Sequence, residues 1–126
     1  MRDAMHSIRF RLDRLGIVLS GLCAVHCLLG IALISLLGLG GLAGEALLSP
    51  AIHRAGLALA VFVGAVTLGL GVLRHGSLAP LAIGGGGIAL MAGGLVAPHG
   101  LQEAVLTIAG VALVAAAHIR NLRHAA

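Results

Sequence analysis

The sequence predicts an all-α, polytopic membrane protein: a four-transmembrane-helix bundle that forms one domain over residues 1–126. Hydrophobic residues make up 60% of the chain and charged residues only 10%. A soluble domain of this length would have far too little polar surface to cover it. Four apolar stretches, each long enough to cross a bilayer as a helix, are expected to be the spans, at about residues 15–39, 51–73, 79–96 and 101–122.

The first predicted span carries no formal charge between residues 15 and 39. Residues 1–14 before it are basic, and we expect them to be partly helical and to lie at the lipid headgroups. Asp13 is expected to cap the first helix or to lie in its first turn, where a carboxylate suits the helix dipole. The first apolar run is longer than that of a typical signal peptide, and three further apolar runs follow it. We therefore expect the first span to remain in the mature protein and not to be cleaved off.

Short polar or glycine-rich segments separate the spans and predict their orientation. The segments are 38–50, 74–77 and 98–100. An even number of spans places both termini on one side of the membrane, together with the 74–77 turn. That side carries seven arginines and the opposite side only Arg54. Positive charge favours the cytoplasmic side, so both termini are predicted to be cytoplasmic.

Small residues predict close helix packing in the second and third spans. Gly56, Ala60 and Gly64 recur every four residues, which places them on one helix face that allows two backbones to approach. The third span contains four consecutive glycines, 84–87. They favour very close helix packing, and the alternative is a locally unwound segment that lines a cavity.

The first span contains the chemically most informative residues, Cys23, His26 and Cys27. In a helix their spacing places all three near one stripe. Thiolate and imidazole are the ligands that hold Hg(II), Cu(I) and Zn(II), and two thiolates would neutralise a divalent ion in an apolar layer. Packing alone can also place cysteines in a span, but the three residues together favour a metal or redox site. A disulfide between the two cysteines would be strained within a regular helix.

The other histidines fall at the two ends of the predicted spans. His53, His99 and Glu103 belong to the outer side, where they are suited to capturing a cation. His75 and His118 belong to the cytoplasmic side, and His118 is expected near the membrane interface. A relay is therefore predicted from the outer residues, through the first span, to His118 or His75. The alternative for His53 and His99 is a solvated or headgroup-bonded side chain.

Several of these residues resemble the MerC-domain family of small membrane proteins, which are related to the mercuric-ion transporter of bacterial mercury-resistance systems. The resemblance lies in residues 13–17 and 20–28, in Glu103 with Leu106 and Thr107, and in Ala117 with His118 and Asn121. It implies a four-span, multi-pass transporter of the bacterial inner membrane. It also implies that Cys23 and Cys27 bind Hg(II).

The chain departs from the family transporter around the cysteine pair. Three residues, including His26, separate the two cysteines where the transporter has two, the following proline is absent, and the chain has no further cysteine. The added imidazole favours a borderline ion such as Zn(II) or copper as an alternative cargo.

The sequence is also compatible with two other functions. A haem- or cofactor-binding protein would use His26 and His118 as axial ligands, and a structural subunit would need neither the histidines nor the cysteines. An enzyme is not expected, because no nucleophile, base and orienting group occur together. Besides the metal ion and the lipid bilayer, a second copy of the chain in a homo-oligomer is a possible partner. No nucleic-acid partner is expected, because no basic face is large enough.

Overall fold

The computed structural model describes residues 1–38, 49–98 and 100–125. These residues form four α-helices and no strand: α1 (Arg2–Leu37), α2 (Pro50–His75), α3 (Ala79–Val96) and α4 (Leu101–Ala125). All four helices are long and apolar enough to cross a membrane. The predicted all-α fold with four spans is therefore confirmed.

Helix α1 begins much earlier than the predicted first span. It runs without a break from Arg2 to Leu37, because residues 1–14 contain neither the proline nor the glycine that would interrupt it. Asp13 therefore neither caps α1 nor lies in its first turn, and that prediction is wrong. Its side chain is only 1% exposed, because hydrogen-bond donors on α4 replace the water that the carboxylate loses.

The helix ends follow the glycine and proline signals of the sequence. Gly38 ends α1 with a left-handed φ of 60° and Gly76 ends α2 with a φ of 70°, a conformation that glycine adopts without steric cost. The hydroxyl of Ser49 accepts a hydrogen bond from the backbone N–H of Ala51 at 3.3 Å and caps α2. The remainder of the predicted first loop, 39–48, lies outside the described residues.

Consecutive helices are antiparallel, as their closest contacts show. Along α3 and α4, Gly87 lies against Gly110, and Gly94 lies against Thr107, so the partner numbers fall as the α3 numbers rise. Helix α4 contacts the other three helices. One end of the bundle therefore holds the start of α1 and the ends of α2 and α4. We call it the basic end, after Arg9, Arg74 and Arg120, and we call the other the opposite end.

The four glycines of α3 are helical, and only two of them are packed. Gly84 and Gly87 are buried against the neighbouring helices, whereas Gly85 and Gly86 are exposed. Close packing is thus the correct interpretation of this run, and the unwound alternative is wrong. The predicted small-residue face of α2 also packs, since Gly56 faces the sulfur of Cys23.

The contrast between packed and exposed glycines predicts opposite effects on stability. A Cβ at residue 87 would lie 2.6 Å from the backbone oxygen of Gly110, so we expect Gly87→Ala to cost about 1–3 kcal/mol by forcing α3 and α4 apart. A Cβ at residue 85 meets nothing within 4 Å, so Gly85→Ala should stabilise the helix by up to about 1 kcal/mol. Thermal unfolding in detergent, followed by circular dichroism, measures both. Equal melting temperatures would contradict this packing.

Candidate metal centre

Three soft or borderline ligands meet where α1 faces α2. His26 and Cys27 of α1 and His53 of α2 each offer one ligand atom, and these atoms all lie within 4.8 Å of one another. Cys27 Sγ lies 3.6 Å from His53 Nε2. A tetrahedral zinc with ordinary bond lengths would hold a sulfur and a nitrogen about 3.5 Å apart. The contact is a thiol–imidazole hydrogen bond, and its spacing also suits two ligands of one metal ion.

The carboxylate of Glu103 adds an acidic group behind His53. Glu103 Oε1 lies 3.3 Å from His53 Nδ1, and both side chains are largely buried. A carboxylate in this position favours the proton on Nδ1, which turns the lone pair of Nε2 toward Cys27. Such carboxylate–histidine pairs commonly orient metal-binding imidazoles.

His26 completes the group with a buried nitrogen. Its ring meets that of His53 edge-on, with 5.8 Å between the centroids. Among the described residues, His26 Nε2 is a buried atom without a hydrogen-bond partner. Since burying such a nitrogen without compensation is unfavourable, a bound cation would satisfy it.

An open pocket leads to this group from the opposite end of the bundle. It has a volume of about 280 Å³ and is lined by residues of α1, α2 and the start of α4, among them Cys27, His53 and Glu103. The sequence placed His53 and Glu103 at the same end, and the structure brings them into contact. His99 lies outside the described residues.

Cys23 is not one of the three residues whose ligand atoms cluster here. Four residues advance a helix by about 6 Å, so the two sulfurs follow each other along α1 rather than converging. The sulfur of Cys23 faces Gly56, where a Cβ would lie 3.4 Å from it. Cys23 also lines a separate narrow cavity of about 10 Å³, which extends toward the basic end as far as His118.

His118 is fully buried inside the bundle, at the end that carries most of the arginines. Its exposure is 0%, and its Nδ1 lies 2.7 Å from Asp13 Oδ1. Asn121 donates from Nδ2 to the other oxygen of Asp13 at 2.8 Å. Sequence reasoning missed the roles of Asp13 and Asn121. The available signal was that His118 and Asn121 lie three apart on one face of an apolar helix.

His75 serves this hydrogen-bond network instead of offering a free ligand atom. Its Nε2 lies 2.9 Å from Asn121 Oδ1, and its Nδ1 accepts a hydrogen bond from the backbone N–H of Ser77 at 3.1 Å. Its ring stacks on His124, with 4.8 Å between the centroids. Both ring nitrogens are engaged, so in this structure His75 joins the ends of α2 and α4.

The two histidines of the haem hypothesis lie apart. His118 lies beside Gly16, which precedes His26 by ten residues, or about 15 Å along a helix. The cavity that reaches His118 holds only about 10 Å³. The geometry therefore gives no support to a haem between these residues.

Comparison with known proteins yields one family. The family model described as MerC mercury resistance protein matches residues 13–123. No curated protein and no solved structure matches the chain. The matched range includes the His26, Cys27 and His53 group as well as the Asp13 and His118 pair.

Proposed function

Because the chain belongs to the MerC mercury resistance family, we propose that it carries Hg(II) across a membrane and that His26, Cys27 and His53 form its capture site. The observation that carries the proposal is the 3.6 Å spacing of Cys27 Sγ and His53 Nε2 at the base of an open pocket. A thiolate is the preferred ligand of a soft ion, and imidazoles complete its coordination.

The charge of the ion must be compensated on its way through the bundle. Cys27 supplies one negative charge as a thiolate, and the nearby Glu103 carboxylate adds another at the capture site. Cys23, about 6 Å further along α1, is the next soft ligand. Transfer from the sulfur of Cys27 to that of Cys23 by ligand exchange would move the ion inward without leaving it bare in an apolar layer.

The proposed direction of transport is based on the arginine distribution. With the basic end cytoplasmic in a bacterial inner membrane, the pocket at His53 and Glu103 opens outward and the proposed function is uptake. Ligand exchange requires no chemical catalysis, and we propose no enzymatic activity. Zn(II) or Cu(I) as cargo is the alternative, since mixed sulfur and nitrogen ligands also suit these ions.

Substitution of Cys27 tests the capture site. Because Cys23 also binds Hg(II), binding is read from the nitrogen resonances of His26 and His53. In excess small thiol as competitor, we expect Cys27→Ser to weaken Hg(II) binding there by more than about 100-fold, more than the loss of a side chain that only orients a ligand. Uptake of radioactive Hg(II) into proteoliposomes should fall in parallel. The matched control is Ser35→Ala, which removes a hydroxyl, and no soft ligand, from the same pocket. Binding of Hg(II) by Cys27→Ser as tightly as by the parent would refute the assignment.

Uptake by proteoliposomes identifies the cargo, because Hg(II) displaces other ions from almost any thiolate and equilibrium competition would not discriminate. Uptake of Hg(II) without uptake of Zn(II) or Cu(I) supports mercury as the cargo. Faster uptake of Zn(II) or Cu(I) than of Hg(II) would favour the alternative.

A further inference from the structure

We propose that His118, held in place by Asp13, is a second metal-binding station that receives the soft cation after Cys23. The inference rests on the proposed function, because the cation must first enter at the capture site. The second station would consist of the His118 nitrogen and the buried Asp13 carboxylate at the basic end. Neither group contacts Cys27 or His53.

The hydrogen-bond network fixes the orientation of the His118 lone pair. The backbone N–H of Ser77 donates to His75 Nδ1, so the proton of His75 lies on Nε2 and is donated to Asn121 Oδ1. Asn121 must then direct its amide N–H groups to Asp13 and to the backbone oxygen of Thr67. The other carboxylate oxygen, Asp13 Oδ1, accepts the hydrogen bond that His118 donates from Nδ1–H. In the neutral imidazole, His118 Nε2 therefore carries the lone pair.

That lone pair is buried and faces the narrow cavity. Among the described residues, His118 Nε2 is a buried atom without a hydrogen-bond partner, and it lies against Gly16, which has no side chain to fill the space. The cavity also reaches Cys23 and has a volume of about 10 Å³. This volume is close to the minimum that holds one water molecule, about 10–15 Å³. The cavity therefore has room for one water molecule or one ion of similar size.

Asp13 supplies the charge that a cation needs at this depth. Both of its oxygens accept hydrogen bonds, as expected of an ionised carboxylate. A carboxylate that accepts from one ring nitrogen of a histidine raises the basicity of the other as a metal ligand. Buried negative charge beside the lone pair therefore favours a cation over a neutral molecule.

A separate small cavity lies beside Asp13 at the basic end. It has a volume of about 10 Å³, and Arg9 and His6 line it together with Asp13. Arg9 is itself buried, with an exposure of 4%. Its positive charge near Asp13 disfavours long retention of a cation at the second station.

Nitrogen NMR of the wild-type chain tests the second station without a substitution. The full chain, labelled with ¹⁵N-histidine and assigned by correlation spectra, is titrated with Hg(II) alone. We expect the His118 Nε2 resonance to shift and to gain a coupling to ¹⁹⁹Hg once the thiols are saturated. An unchanged His118 resonance at saturation would show that the Asp13–His118 pair only joins α1 to α4, and would overturn the inference.

Asp13→Asn tests whether the carboxylate acts through His118. Asparagine retains an acceptor for His118 Nδ1–H, removes the charge and places an NH2 group against the Nδ2 donor of Asn121. We expect about 10–100-fold weaker Hg(II) binding at His118 and unchanged binding at Cys27. Ser20→Ala is the control, because the Ser20 hydroxyl donates to the backbone oxygen of Gly16 on its own helix at 2.9 Å. Equal affinity at His118 in parent and Asp13→Asn would contradict the role of Asp13.

The two proposals fail separately. Loss of binding in Cys27→Ser together with an unchanged His118 resonance supports the capture site and overturns the second station. A shifted His118 resonance in a chain whose Cys27→Ser variant binds as tightly as the parent supports the second station and overturns the capture site.

Discussion

Gly16→Ala is expected to abolish transport of Hg(II) while the capture site still binds the ion. The new Cβ would overlap the His118 imidazole, whose Cδ2 and Cε1 atoms would lie 2.6 and 2.7 Å away. The ring cannot turn aside without breaking its 2.7 Å contact with Asp13. We expect a loss of about 1–3 kcal/mol in the free energy of unfolding and a blocked lone pair at His118.

Proteoliposome uptake and Hg(II) titration separate these effects. Uptake should fall to background, whereas Cys27 should bind Hg(II) with the affinity of the parent. The matched control is Gly21→Ala on the same helix, since a Cβ there meets nothing within 4 Å, and it should transport as the parent does. Normal transport by Gly16→Ala would show that the path does not pass His118.

Gly71→Ala is expected to be the most destabilising single-methyl substitution among these glycine positions. A Cβ at residue 71 would overlap Asn121 Oδ1 and would lie 2.9 Å from His75 Nε2. It would therefore break the hydrogen bond that joins α2 to α4 and leave buried polar groups without partners. Overpacking and the lost hydrogen bond together should cost about 2–5 kcal/mol.

Unfolding of the purified chain by increasing amounts of denaturing detergent measures this loss. Gly69→Ala, two residues earlier on α2, is the control, because a Cβ at residue 69 meets nothing within 4 Å. It should leave stability unchanged or slightly raised. A similar stability of the two variants would mean that Asn121 does not pack against Gly71.

The fold was largely predictable because long apolar runs leave the chain few choices in a bilayer. The third span was predicted at 79–96, and α3 occupies Ala79–Val96. The early start of α1 is not evident from the sequence, because charged residues are expected at the lipid headgroups and not inside a helix bundle. Burial of Arg9 and Asp13 depends on facing residues of other helices, which no local pattern reveals.

The sequence predicts which residue types form the candidate site, but only part of which side chains come into contact. Spacing in the sequence places Cys23, His26 and Cys27 near one stripe of α1. Which of them meets His53 depends on how α1 and α2 are rotated about their axes, and the structure selects His26 and Cys27. The Asp13–His118 pair joins residues 105 positions apart, so only tertiary structure could show it.

The direct meeting of Gly87 and Gly110 determines which helices can shift relative to one another. Where two backbones touch without intervening side chains, sliding would bring a neighbouring, larger residue into the gap. Helices α3 and α4 are therefore expected to move together as one unit. A displacement of α1 or α2 against them would first have to break the hydrogen bonds that Asp13 and His75 make to α4.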